Sequence, residues 1–311
     1  MNAAAHGLGM SVDALTAALE RINRLLYAHR QQRPAPLRDD KILTAWNGLT
    51  ISAFARGGFA LDEPEYIERA CRAANFIGQT MMAGDRLHRS YMDGVASGNG
   101  FLEDYVCFTA ALLDLFRVTA DPDWLTRAMA LDRVLADRFE DRQNGGFFMT
   151  ADDHEEMIAR EKPYLDGAVS SGNAVALMNL LRLNGLTLDP VYRRRSEKGL
   201  AAFSAIMQAN PAAFGEMLQA LDDFYHPPRQ IIAVTGEGVD DNRIARRLKK
   251  TYLPGDLVMI LTQPQAAGLS RISAIFNEKA TADGKAAVYI CRYGACELPI
   301  PDEKILEQQL G

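Results

Sequence analysis

Three stretches of the chain set carboxylates, amides, hydroxyls and rings close together at the head of apolar runs. The first is Asp39-Asp40-Lys41 with Trp46-Asn47. The second is Glu103-Asp104-Tyr105, and the third is Asp166 with Ser171 and Asn173. Cleavage of a glycosidic bond needs two carboxyl groups, one protonated to serve the leaving oxygen and one ionised as base or nucleophile. Asp40, Glu103, Asp104 and Asp166 are therefore the candidate catalytic residues. Rings cover the C–H face of a sugar, while amides, hydroxyls and charged tips take its hydroxyl groups. On that chemistry Asp39, Lys41, Trp46, Asn47, His88, Tyr91, Tyr105, Ser171 and Asn173 are the candidate substrate contacts. The competing reading is local: Asp104, Asp166 and Ser171 each precede or open an apolar run, where an Asp or Ser is an ordinary helix N-cap.

Other chemistries find less support. An epimerase or isomerase would use a base and acid of near-neutral pKa, most naturally His, and only His88 and His154 fall in the long connections. No pair among His6, His29, His88, His154 and His226 has metal-ligand spacing, so no metal is expected. Thr235-Gly236-Glu237-Gly238 sits between a strand and a helix in the manner of a dinucleotide turn. It lacks the third Gly, and Glu237, Asp240 and Asp241 would repel a phosphate. No cofactor is expected.

The elements that would position these residues follow from periodicity. Asp62-Glu63-Pro64, Asp121-Pro122 and Asp189-Pro190 read as helix starts, because Asp accepts from the free amides of a first turn and Pro at N1 forfeits no hydrogen bond. The helices that follow are amphipathic. Those that precede them, Asn47 to Phe59, Tyr105 to Val118 and Asn173 to Leu183, are apolar or small nearly all round and should be buried all round. Buried and half-exposed helices thus alternate as repeated hairpins. Further helices are predicted from Ser11 to Tyr27 and from Pro211 to Phe224, the latter capped by Asn210. The long connections, Gly84 to Leu102 and Glu140 to Ser170, both lead into inner helices, so they would gather at one end of the array as a cup. Asn144-Gly145-Gly146 predicts a tight turn into a short strand at Phe147 to Thr150. After Pro227-Pro228 come strands at Ile231 to Val234, Leu257 to Leu261 and Ala287 to Ile290, a helix from Asn242 to Lys250, and a closing helix from Asp302 to Leu310. The fold class expected is mainly α: an incomplete α/α toroid of helical hairpins over residues 1–226, with a small α/β element and closing helix packed on it over residues 227–311.

Composition excludes several classes. The chain of 311 residues is 48% hydrophobic and 24% charged with a formal net charge of −6, which fits a globular protein rather than a disordered one. The basic runs Arg193-Arg194-Arg195 and Arg246-Arg247 with Lys249-Lys250 fall in helical patterns as solvated faces, so no nucleic-acid partner is expected. No apolar run reaches the roughly 20 residues of a membrane span, and Met1 to Met10 does not read as a secretory signal. Of the four cysteines, Cys71 and Cys107 fall on apolar helix faces. Cys291 and Cys296 bracket a strand end, and no bridge between them is expected; a reduced, cytoplasmic compartment fits best.

Five motifs in order carry a resemblance: Asp39 to Leu49, Glu103-Asp104-Tyr105, Gly145-Gly146-Phe147-Phe148, Asp166-Gly167-Ala168 with Ser171-Gly172-Asn173, and Cys291 through Cys296-Glu297-Leu298-Pro299. Together they resemble the helical portion of the spermatogenesis-associated, thioredoxin-domain-containing family. The resemblance implies a toroid similar to N-acylglucosamine 2-epimerase and the six-hairpin glycosidases, preceded in that family by a thioredoxin-like domain. This chain lacks that domain and its redox Cys pair, lacks the first hairpins of the toroid, and reads Ser170-Ser171 where the family has Pro before Ser. Two functions are carried forward. One is a carbohydrate-binding or carbohydrate-modifying toroid, epimerase/isomerase-like or glycoside-hydrolase-like, acting on a small sugar-like ligand and inactive if the missing hairpins are essential. The other is a non-catalytic interaction module whose ring is completed by a partner, by its own missing N-terminal half, or by a second copy, because an open ring exposes apolar inner faces.

Overall fold

The computed structural model describes residues 1–154, 159–236, 242–253, 255–282, 285–292, 294–300, 306 and 308. The chain forms two compact units, Met1–Asp40 and Lys41–Gly311. The first contains α1 (Asn2–Gly7) and α2 (Val12–Gln31). Ser11 caps α2, its hydroxyl accepting from the Ala14 amide at 3.1 Å. Leu15 of α2 is buried, while Leu19, Ile22, Leu25 and Leu26 along the same helix are exposed.

The second unit opens with β1 (Ile42–Leu43) and runs through three helical hairpins: α3 (Thr44–Leu61) with α4 (Pro64–Thr80), α5 (Leu102–Thr119) with α6 (Pro122–Arg138), and α7 (Gly172–Thr187) with α8 (Pro190–Ala209). A further inner helix, α9 (Gly215–Tyr225), follows. Each inner-to-outer turn has the same construction. A single residue in the left-handed region ends the inner helix, Asp62 (φ 59°), Ala120 (φ 57°) or Leu188 (φ 60°), and Pro opens the outer one. Asp121 and Asp189 cap α6 and α8, accepting from the Asp123 and Val191 amides. Asp62 departs from the expected role: it terminates α3, and Glu63 occupies the N-cap of α4. The helix expected from Pro211 is also shorter. Pro211–Ala213 is a single 3₁₀ turn, and Phe214, at φ −134° and ψ 39°, separates it from α9.

Burial follows the alternation for α5 and α7. Phe108, Leu112, Phe116, Leu177 and Leu180 are at most 2% exposed and form the centre of the core. The crossing of α3 over α5 is close because Gly48 has no side chain; a Cβ there would sit 2.7 Å from the backbone of Cys107. The expectation that α3 is buried all round is corrected. Trp46, Leu49, Ala53 and Phe54 are exposed along one side of α3; among the described residues α5 packs between two inner helices, α3 and α7, whereas α3 packs against one, α5.

The connection from Gly84 to Leu102 is mostly strand. β2 (Met82–Ala83) and β1 pair along one edge of β3 (Arg86–Met92), and β4 (Val95–Asn99) pairs along the other, all antiparallel. In the second long connection the expected strand reduces to an isolated bridge between Glu140 and Phe147. Gly145 and Gly146, at φ 82° and 74°, make its turn, and a Cβ on Gly145 would collide with the Lys198 carbonyl oxygen.

The α/β element comprises β5 (Gln230–Thr235), α10 (Asn242–Lys250), β6 (Leu257–Thr262), α11 (Gln263–Leu269), β7 (Ala287–Arg292) and β8 (Ala295–Cys296). The sheet order is β6-β5-β7-β8; β5 and β6 are parallel and joined through α10, and the other pairs are antiparallel. Strand periodicity divides β5 between two cores. Ile232 and Val234 pack with the helical hairpins, and Ile231 and Ala233 pack with Ile244, Leu248 and Phe59. The expected boundary at 226–227 therefore falls inside the second compact unit. Glu237, Gly238, Asp240 and Asp241 of the glycine-rich turn lie outside the described residues, as does the closing helix apart from Leu306 and Gln308. No helix among the described residues is long and apolar enough to cross a membrane.

One cysteine expectation is overturned. Cys291 and Cys296 are bonded in a disulfide. They are cross-strand partners in the β7–β8 hairpin, a register that brings their side chains to the same face; five residues of sequence separation gave no sign of it.

Candidate functional site

The four inner helices begin at a common rim, and two carboxylates tie them there. Asp104, in the first turn of α5, accepts from the Phe101 amide (2.9 Å) and from the Ala45 amide of α3 (3.0 Å). Asp166 accepts from the Ser171 amide ahead of α7 (2.8 Å) and from the Glu216 amide of α9 (3.0 Å). Gly172 lies against Leu102, joining the starts of α5 and α7. Free first-turn amides attract acceptors and negative charge, so each Asp satisfies donors from two helices at once.

These bonds decide which candidates can face a ligand. Asp104 is 1% exposed with both oxygens engaged. Burial pushes its carboxyl up to about 6, against the opposing pull of the two amides and Arg89. Tyr105 is fully buried and accepts from the Leu87 amide through its hydroxyl at 3.0 Å. Asn173 is fully buried too; its side chain accepts from the Phe147 amide and donates to the Phe147 and Pro163 carbonyls. Ser171 is the N-cap of α7. The reading of Tyr105, Ser171 and Asn173 as ligand contacts is corrected accordingly. They hold the strand hairpin, the helix start and the Gly145-Gly146 turn, and buried polar groups must find such partners. Tyr91 packs edge-on against Phe76 at 5.2 Å.

Other candidates are accessible at the rim. Trp46 is 66% exposed in the first turn of α3. Beside it Asn47 donates to the Leu43 carbonyl at 2.9 Å. His88 Nδ1 lies 3.3 Å from the Gly98 carbonyl oxygen, and its own carbonyl accepts from Thr44, which fastens β3 to the start of α3. Glu103 is half-exposed, and Arg89 of β3 donates to it at 2.7 Å. Arg89 also reaches Asp104 at 3.4 Å and lies over the Phe101 ring. Lys41 is exposed at the start of the second unit. Asp39 and Asp40 end the first unit, where the Asp40 carboxylate pairs with Arg38.

The sequence reading missed Arg89, Glu216 and a triad deeper in the array. Glu216 stands in the first turn of α9, accepts from the Ser170 hydroxyl, and acts electrostatically on both Arg56 and Arg182. Placing that helix start at Pro211 had hidden it; the Phe214-Gly215 break was the available signal. Farther along the inner helices, Asp114 of α5 is fully buried. It accepts from Arg56 of α3 at 2.8 Å and Arg182 of α7 at 2.6 Å. Burial raises its carboxyl, but the neighbouring guanidiniums outweigh that and hold it below the usual carboxylate range. Arg56 and Arg182 are the lone charges in α3 and α7. A charge inside an apolar helix demands a partner, so this signal was legible.

An apolar groove of about 600 Å³ lies between α8 and α9, lined by Leu200, Met207, Leu218, Leu221 and Phe224 among others; none of the candidate site residues lines it. Among the described residues no cluster of three His, Cys, Asp or Glu could hold a metal ion.

No protein-family model matches the chain. Among solved structures, the chain is similar to the GH76 α-mannanase BT2949 of Bacteroides thetaiotaomicron, with a TM-score of 0.51 and 13% identity over 62% of this chain and 55% of that one. It is also similar to cellobiose 2-epimerase from Spirochaeta thermophila, with a TM-score of 0.44 and 19% identity over 52% of this chain and 43% of that one. In sequence it is 31% identical to spermatogenesis-associated protein 20 of Rattus norvegicus over 96% of this chain, and 31% identical to the Homo sapiens protein over 94%. It spans 40% and 39% of those proteins' lengths. Motifs, hairpin architecture and end-to-end similarity agree: the chain is a homologue of spermatogenesis-associated protein 20, corresponding to an α/α-toroid portion of that longer protein.

Proposed function

We propose that the rim formed by the inner-helix starts binds a small sugar-like ligand, with Glu103 as its reacting or hydrogen-bonding carboxylate. The observation that carries this reading is the division of labour among the rim acids. Asp104 and Asp166 are consumed by backbone amides, and Glu103 and Glu216 are left with side chains free of the caps. Arg89 pairs directly with Glu103 at 2.7 Å and holds its side chain at the rim. Trp46 offers an exposed ring for the C–H face of a sugar. Asn47 and His88 supply polar groups on α3 and β3, and Asp39, Asp40 and Lys41 precede β1 in the chain. The toroid fold, shared with an α-mannanase, supports a carbohydrate-active site; a glycoside hydrolysis or an epimerisation would draw its acid and base from Glu103 and Glu216, with Asp104 and Asp166 positioning the helix starts. The reading includes no cofactor.

The test is calorimetric titration of the full chain with mannose, glucose, N-acetylglucosamine and their disaccharides. Saturable binding that Glu103→Gln and Trp46→Ala each weaken at least tenfold, with helical content unchanged, supports the site. Absence of binding to every sugar, or binding indifferent to both substitutions, overturns it.

A second reading, an interaction module, is favoured by the exposed stripe Trp46, Leu49, Ala53 and Phe54 on α3. A contiguous apolar strip on an otherwise buried helix marks an association surface. Light scattering of the full chain across a hundredfold concentration range tests it for self-association, with Leu49→Asp and Phe54→Asp as disrupting variants. A monomer throughout rejects self-association.

A further inference from the structure

The Cys291–Cys296 bridge is asymmetric. Cys291 lies within β7 and is fully buried, whereas Cys296 sits on β8 at the exposed end of the hairpin. The Lys279 ammonium donates to Cys296 Sγ at 3.2 Å. It is held there by more than its own chain. Its segment is pinned to β7 by Tyr289, whose hydroxyl accepts from the Ala280 amide at 3.1 Å and donates to the Ala280 carbonyl at 2.9 Å. The ammonium also lies 4.8 Å above the Tyr289 ring. A cation fixed beside one sulfur of a disulfide favours the thiolate on that sulfur. An exposed disulfide is also the kind open to exchange.

We propose that Cys296 is a thiol-exchange site at which a small monothiol of the glutathione class opens the Cys291–Cys296 bridge and is carried as a mixed disulfide, with Lys279 as the positioning residue for the Cys296 sulfur. The incoming thiolate attacks Cys296 Sγ, forming a new S–S bond. The Cys291–Cys296 bond breaks, its electron pair goes to Cys291 Sγ, and that buried sulfur takes up a proton. A second thiolate then attacks the small-molecule sulfur of the mixed disulfide and releases Cys296 as a thiolate against Lys279. Two monothiols are oxidised to their disulfide and the protein disulfide is reduced to a dithiol. Cys291 itself is unreachable, which sets the direction of attack. Burial raises the Cys107 thiol to about 12 and raises Cys71 as well, so both remain protonated and serve as internal controls.

The experiment uses the folded full chain and two readouts. In the first, the chain is equilibrated with reduced and oxidised glutathione at varied ratios, quenched with acid, and mapped by mass spectrometry. The expected result is a bridge that opens within the glutathione range, with the adduct on Cys296 and none on Cys291. A bridge that opens only with denaturation makes this a structural disulfide and overturns the proposal. In the second, the reduced chain is alkylated with iodoacetamide across pH 5 to 10. Cys296 is expected to react at pH 7 roughly tenfold faster than Cys71, with its profile displaced below an ordinary thiol's. Lys279→Met removes the displacement and Lys279→Arg restores it. A Cys296 profile identical in wild type and Lys279→Met overturns the role of Lys279, and with it the proposal.

Discussion

Asp114→Asn tests whether the triad joining α3, α5 and α7 holds the array together. In the folded chain Asp114 is fully buried and paired to Arg56 and Arg182, and Arg117 on its own helix also acts on it. The substitution keeps the shape of the side chain but removes the negative charge. Arg182, whose side chain is 20% exposed, and Arg117, whose Nε is buried without a hydrogen-bond partner, then lose the buried carboxylate that offsets their charge. Breaking one side of a buried ion pair costs about 3–5 kcal/mol. Arg56 gives the contrast. Its side chain is 57% exposed, so Arg56→Gln should cost no more than about 1 kcal/mol. For a unit of this size Asp114→Asn corresponds to a fall in Tm on the order of 10 °C. Urea denaturation followed by far-ultraviolet circular dichroism, with thermal melts in parallel, measures both. If Asp114→Asn lies within about 1 kcal/mol of wild type, the triad does not stabilise the helix array and the argument fails; if Arg56→Gln costs as much as Asp114→Asn, the contrast drawn from the exposure of Arg56 fails.

Other outcomes follow from the rim and the core. Asp104, with its carboxyl raised from 3.8 to about 6, keeps a proton in the folded state that the unfolded chain has already released. Its contribution is therefore complete below pH 4 and lost as pH rises through 6. The stability difference between wild type and Asp104→Asn should shift by about 3 kcal/mol against wild type from pH 4 to pH 7.5; a difference independent of pH refutes the assignment. Gly48→Ala places a Cβ 2.7 Å from the Cys107 backbone, and overpacking of about 1–3 kcal/mol should outweigh the roughly 1 kcal/mol gain in helix propensity. A more stable Gly48→Ala protein in urea melts would show that α3 and α5 do not cross so closely. Glu103→Gln should leave that same urea midpoint nearly unchanged, because the Arg89–Glu103 pair is exposed, while weakening sugar binding as described above.

The sequence by itself determined the repeat. Asp-Pro starts, amphipathic outer helices and apolar inner helices are local properties of consecutive residues, and α6, α8 and α10 stand where that periodicity puts them. Three of the four strands of the α/β element, β5, β6 and β7, were legible for the same reason, as short apolar runs rich in β-branched residues. Tertiary structure decided what the polar residues do. Asp104 and Glu103 are adjacent in sequence and alike in chemistry, yet one spans to the Ala45 amide 59 positions away while the other meets Arg89 at the surface. The same holds for Asp166 and Glu216, for Cys291 and Cys296, and for Asp114 between two arginines of other helices. A helix records its own period within a few residues. Whether a carboxylate is a cap, a counter-ion or a free acid depends on which backbone amide or guanidinium another element brings within 3 Å, and no local pattern carries that information.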